Sequence, residues 1–224
     1  MSDPVVGAPA DPKAPERAGS IKARAGLTAL GVAVLVVAAL LVNRATAKHN
    51  DSTPLRASLI AAAHLPDCPL AAGTGAVTDG LPGYTFPCLG NGPQVDLAKL
   101  RGPLLINIWA GPCTECKVEA PELRSFATAA QGKVAVLGIV DGAYNGSETW
   151  DDALDASRGL GLAYPSVWDA NGKFVQYLRV PGIPVSIFIN ASGAIAHAKI
   201  GVLAPGELAQ LSAQYLGVTV TDTT

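Results

Sequence analysis

From position 104 onward, apolar residues come in short blocks, each with the length of a strand or the spacing of a helix. Leu104-Leu105-Ile106-Asn107-Ile108-Trp109 is a near-continuous apolar run, the pattern of a central strand covered on both faces. Residues 117–130 then show helical spacing, although Ala120-Pro121 is expected to kink or restart that helix. Residues 134–140 read as a second buried strand. Ser147-Glu148-Thr149-Trp150 has the form of a cap for a helix running to about Ser157. Residues 165–168 predict a short strand and 169–172 a turn. Residues 185–190 and 194–200, joined by Ala191-Ser192-Gly193, predict a β-hairpin. The last helix is predicted over 205–216, with Pro205 at its start and Gly217 beyond its end. Strands alternating with helices, followed by a hairpin and a helix, imply an α/β sandwich.

The pattern is different upstream. Residues 68–92 are dense in Gly and Pro, which predicts turns and short strands. Residues 94–97 and 99–102 read as a strand end and a short helical turn. Residues 26–42 carry no charge over seventeen positions, the short end of a membrane span. Lys13, Arg17, Lys22 and Arg24 precede this segment and Arg44 and Lys48 follow it, which predicts a cytoplasmic N-terminus and an exported remainder. The expected organisation is a disordered cytoplasmic tail over 1–25, a signal-anchor helix over 26–42, a linker over 43–66 that is partly helical near its end, and a folded domain over 67–220. Ala45-Thr46-Ala47 also fits a signal-peptidase site, so secretion after cleavage near Ala47 is the rival reading. Both readings export the domain, and export suits an even count of four cysteines.

The net charge of −2 gives no footprint for nucleic acid. The chemistry is concentrated in Cys113-Thr114-Glu115-Cys116, placed between the apolar strand and the helix. Two cysteines at that spacing close a small disulfide or form half of a zinc site. Zinc needs a second pair of ligands. Cys68 and Cys88 lie twenty residues apart, and His49, His64 and His197 make no close pair, so no metal is implied. A thiol peroxidase would need a Pro-x-x-x-Thr-x-x-Cys frame, which Ile106 and Trp109 break. The remaining reading is redox exchange. The helix N-terminus favours thiolate on Cys113, and the thiolate is the reactive species. Cys113, at the helix start, is expected to be the exposed sulfur and Cys116 the inner one. Cys68 and Cys88 each abut a proline in a turn-rich segment. They read as a structural disulfide, or as a second redox pair that relays electrons to Cys116.

Trp109-Ala110-x-x-Cys113-x-x-Cys116-Lys117-x-Glu119-x-Pro121 resembles the thioredoxin fold, and more narrowly its membrane-anchored TlpA/ResA/DsbE branch. Val180-Pro181-Gly182-Ile183-Pro184-Val185-Ser186-Ile187-Phe188-Ile189-Asn190-x-x-Gly193 resembles the second motif of that branch, about seventy residues on. The resemblance implies a thioredoxin-like domain, with a central mixed sheet flanked by helices, an N-terminal extension and a central helical insertion. It implies a cis Ile183–Pro184 bond facing the disulfide. Ile183, Pro184 and Trp109 are the candidate substrate contacts, and Trp109 also reads as packing beneath the site. It also makes Glu119 a proton carrier for Cys116, where the residues alone allow a solvated helix charge. No cofactor is implied. The implied partners are exported proteins with cysteines and a membrane electron-transfer protein that recycles the disulfide. The implied activity is that of a thiol-disulfide oxidoreductase acting as a reductant, for example of apocytochrome c. An oxidant or isomerase of folding exported proteins, or a non-catalytic binding module, are the alternatives. Pro112, Thr114-Glu115 and Val185-Ser186 depart from the branch's usual residues, which bears on potential and partner choice.

Overall fold

Five strands form the sheet that carries the site, in the order Ser166–Asp169, Ala135–Asp141, Leu104–Trp109, Val185–Ile189 and Ile195–Ile200. They belong to a computed structural model that describes residues 54–69, 73–146 and 148–221. The expected tail over 1–25, the anchor over 26–42 and the first part of the linker lie outside these residues. Among the described residues, no helix is long and apolar enough to cross a membrane.

β3 (Leu104–Trp109) is central and buried at every position. β4 (Ala135–Asp141) pairs with it in parallel, placing Trp109 opposite Val140. β5 (Ser166–Asp169) extends the parallel side. β6 (Val185–Ile189) pairs antiparallel to β3, with Val185 opposite Ile108. That register sets the start of β6 beside the end of β3, so the chain just before Val185 meets the chain just after Trp109. β7 (Ile195–Ile200) completes the hairpin with β6. The sheet is thus mixed, and the fold is the thioredoxin-like α/β fold.

Helix α1 (Pro54–Ala63) occupies the end of the expected linker. Leu59 and Ile60 lean on the core and Ala63 is buried in it. Arg56 lies 5.0 Å above the Trp150 ring and 3.4 Å from Asp151. Helix α2 (Thr114–Ala129) starts three residues earlier than its spacing predicts, because Cys113 serves as its N-cap. It also runs through Pro121 as one helix, where a kink or restart was expected. Buried Cys116, Glu119 and Ala120 before the proline and Leu123 and Phe126 after it hold both halves to the core. Helix α3 (Trp150–Leu160) is capped by Thr149 and Asp152 in a reciprocal capping box and ends at left-handed Gly161. Helix α4 (Lys173–Leu178) follows the predicted 169–172 turn and was not foreseen. Helix α5 (Glu207–Leu216) closes the fold, with Gly217 beyond its end.

The N-terminal extension covers the outer edge of β5. Strands β1 (Thr85–Phe86) and β2 (Val95–Asp96) form a two-residue ladder. The chain after β1 then pairs with β5 through Leu89 N–H to Ser166 O at 2.7 Å and Trp168 N–H to Pro87 O at 2.9 Å. Cys68 and Cys88 are joined, with Cα atoms 5.8 Å apart, and both are buried. This bridge ties the first residues of the domain to the segment on β5. Replacing both cysteines by alanine is expected to lower the unfolding free energy by about 3 kcal/mol, the chain-entropy value for a loop of this size. Urea unfolding measures it, and a variant as stable as the parent would remove the structural role.

Candidate active site

The end of β3 leads through Ala110, Gly111 and Pro112 into α2. Cys113 has extended backbone angles (φ −73°, ψ 112°), and its sulfur accepts the Cys116 N–H at 3.1 Å. The side chain therefore satisfies one of the open donors of the helix start. Cys113 and Cys116 form a disulfide with Cα atoms 5.3 Å apart.

The expected exposure of Cys113 is corrected. Cys113 is 0% exposed and Cys116 3%, while Pro112, Thr114 and Glu115 around them are exposed. Cys113 is covered because the register of β3 and β6 brings the loop before Val185 over it. The Ile183 carbonyl oxygen lies 4.0 Å from the Cys113 sulfur, and the Ile183–Pro184 bond is cis. The Ile183 carbonyl thus faces the disulfide, and the cis bond to Pro184 follows directly after it. Trp109 does not share that surface. It is 2% exposed, and a Cβ placed on Gly138 of β4 would come within 2.8 Å of its indole nitrogen. The ring belongs to the core beneath the site, which is the packing reading of Trp109.

Glu119 is one turn beyond Cys116 and is 1% exposed. Asn107 Nδ2 donates to its Oε1 at 2.8 Å and the Leu203 N–H to its Oε2 at 3.3 Å. Tyr164 in turn donates to Asn107 Oδ1 at 3.2 Å. The single polar residue in the β3 run thereby links a buried carboxyl to a buried phenol. Burial is the main force on Glu119 and pushes its pKa up to about 7, against the pull of Asn107, Leu203 and the Lys199 charge. A carboxyl that titrates near neutral pH both gives and takes a proton there. Burial, helped by the Glu119 charge, also raises the Tyr164 phenol far above its ordinary value.

A second buried carboxyl was missed in the sequence. Glu148, between β4 and α3, accepts the Gly111 N–H at 2.8 Å on Oε1. No motif marks it, since the contact joins positions thirty-seven apart. Asp141, at the end of β4, is also buried. Its pKa is raised by burial and the neighbouring Asp169 charge, although its carboxylate accepts the Ala143 N–H at 3.2 Å.

The model of the AhpC/TSA family matches residues 77–198, which contain the disulfide, Glu119 and Ile183–Pro184 and make up more than half of the chain. The chain belongs to the AhpC/TSA family. Several of the proteins similar to it are thiol-disulfide enzymes by name. Sporulation thiol-disulfide oxidoreductase A of Bacillus subtilis is 25% identical over 120 residues, covering 52% of this chain and 70% of that protein. Thiol:disulfide interchange protein DsbE of Pseudomonas fluorescens is 31% identical over 127 residues, covering 54% of this AhpC/TSA chain and 65% of the relative. Thiol:disulfide interchange protein CycY of Rhizobium leguminosarum is 32% identical over 111 residues, covering 49% and 56%. The crystal structure of a secreted Mycobacterium tuberculosis disulfide oxidoreductase, homologous to Escherichia coli DsbE, superposes with a TM-score of 0.51 at 23% identity. It covers 59% of this chain and 96% of that one, and shows the shared fold.

Proposed function

We propose that this chain is an extracytoplasmic, membrane-tethered thiol-disulfide oxidoreductase that reduces cysteines of exported proteins and is recharged by a membrane electron-transfer protein. The observation that carries this reading is the joint placement of the Cys113–Cys116 disulfide at a helix start, the Ile183–Pro184 loop over it and a carboxyl of pKa about 7 one turn further along. The named activities of the similar proteins support it, and the charge-free run over 26–42 supports the tether.

In the proposed cycle the Cys113 thiolate attacks one sulfur of a substrate disulfide. A mixed disulfide forms and the other substrate sulfur leaves as a thiolate. Ile183 and Pro184 line the place where the substrate chain meets Cys113. Cys116 gives its proton to Glu119 and attacks the Cys113 sulfur. The Cys113–Cys116 bond forms, the mixed disulfide breaks, and the substrate leaves with two electrons gained. An incoming dithiol reverses these steps to restore the reduced pair.

The test is the reduction potential of Cys113–Cys116, read by equilibration with glutathione or dithiothreitol. The proposal expects a value near that of thioredoxin, about −270 mV. A value near that of DsbA, about −120 mV, would make the chain an oxidant and overturn the proposed direction.

A further inference from the structure

Glu148 is a buried titratable group that the cycle above does not use. It is 9% exposed, and only its Oε1 has a partner, the Gly111 N–H. Oε2 is buried without a hydrogen-bond partner. A carboxylate oxygen left in that state is costly, and a proton on the carboxyl relieves the cost. The fit against the loop is close. A Cβ on Gly111 would run into Glu148 Oε1 and come within 2.8 Å of the Ala156 Cβ, so position 111 is restricted to glycine by this carboxyl and α3 together. Gly111 stands two residues before Cys113, so whatever holds Gly111 also sets the entry of the chain into the disulfide.

We infer that Glu148 is a positioning residue for the loop that carries Cys113, and that its carboxyl takes up a proton when the Cys113–Cys116 disulfide is reduced and releases it when the disulfide re-forms. This rests on the proposed redox role of that pair. A dithiol supplies the two electrons and is itself oxidised to a disulfide. Of the two protons it gives up, one goes to the Cys116 sulfur. Cys113 stays a thiolate, and its new negative charge, two residues along from the Gly111 N–H that Glu148 holds, raises the carboxyl's affinity for the second. Glu148 is poised for this. Burial, more than any charge, lifts its pKa to about 7; Asp152 of α3 and Asp141 of β4 add to the rise, while Gly111 N–H and Lys117 of α2 oppose it. By the same coupling, an ionised Glu148 disfavours the Cys113 thiolate. The site therefore becomes a poorer nucleophile as pH rises past the Glu148 midpoint, relative to one that lacks this carboxylate.

The decisive experiment is a carbon-13 NMR titration of the Glu148 carboxyl in the full chain, once oxidised and once reduced with dithiothreitol. The midpoint is expected to rise on reduction by about half a pH unit or more, the effect of one nearby charge in a partly screened site. Glu148→Gln keeps an oxygen for the Gly111 N–H and removes the titration. It is expected to lower the Cys113 thiolate midpoint by a similar amount, read by ultraviolet thiolate absorbance. Glu148→Ala loses both functions and is expected to slow insulin reduction where Glu148→Gln does not. A Glu148 midpoint that is the same in both redox states overturns the inference, whether or not the glutamine variant folds. Insulin reduction by the unmodified chain reports separately on the proposed function. Its absence would sink that function, while the chemically reduced chain would still give the NMR result.

Discussion

Replacing Cys113 by serine is expected to bring dithiothreitol-driven insulin reduction down to the uncatalysed rate. The loss is at least about a hundredfold, since removal of a nucleophile leaves nothing to begin the exchange. Cys116→Ser is expected to keep the attack and stop at the next step, so mixed disulfides with substrate accumulate and are seen on non-reducing gels. The difference lies in where the two sulfurs sit. The Cys113 sulfur is the cap of α2, receives the Cys116 N–H at 3.1 Å and faces the open positive end of the helix. Exposed Pro112, Thr114 and Glu115 flank it, and Ile183 approaches it from the loop before β6. Cys116 is already inside the first turn and on the face that also buries Glu119. If Cys113→Ser traps substrate and Cys116→Ser does not, the assignment of attacking and resolving sulfurs is reversed.

Glu119→Gln is expected to flatten the dependence of stability on pH between about 4.5 and 7. In the unfolded chain Glu119 ionises at its ordinary 4.5, and in the fold only near 7. Below 4.5 both states hold the proton and the group adds no pH dependence. Between the two values the unfolded state has lost its proton and the native state has not, so stability falls as pH rises, by about 3 kcal/mol in all. Above 7 both are ionised and the curve is level again. Glu148 has the same direction and a similar midpoint, so the variant keeps part of the slope. The amide presents an N–H to the Leu203 N–H or to Asn107, at a cost of about 1 kcal/mol that does not vary with pH. Urea unfolding from pH 4 to 8 separates the two effects. Parallel curves for variant and parent would show that Glu119 ionises in the fold as it does in water.

The sulfur chemistry and the sheet were legible because they are written locally. An unbroken apolar run marks β3, a cysteine pair follows it, and a proline stands before a second apolar run that becomes β6. The register of β3 and β6 then brings the cysteine pair and that proline to the same end of the sheet, where the resemblance had implied a cis bond facing the disulfide. Features made by distant partners were not legible. Asn107 is the one polar position in the β3 run, and its role is set by Glu119 and Tyr164, which lie far from it in sequence. Glu148 looked like part of a cap, yet the cap is Thr149 with Asp152, and Glu148 reaches back to Gly111. Helix α4 is six residues long between two left-handed residues, Gly172 and Arg179, with no side-chain cap, too short for a periodic signal. The reading of Cys113 as open to solvent failed because it takes the end of β3 for an outer rim, whereas the loop before β6 closes over that rim.

The covering of β5 has a consequence for how the molecule behaves among unfolded chains. A sheet grows by adding strands at a bare rim, and such growth is the route to fibres. Here one rim is occupied by the segment around Pro87–Leu89, which the Cys68–Cys88 bridge keeps in place. At the other, Ile195 at the start of β7 already donates to Asp79 O at 2.9 Å, and Lys199 further along holds a charge against Glu207 at 2.6 Å. An extended polypeptide that approaches the sheet therefore meets a rim closed along β5 and a rim pinned at the start of β7.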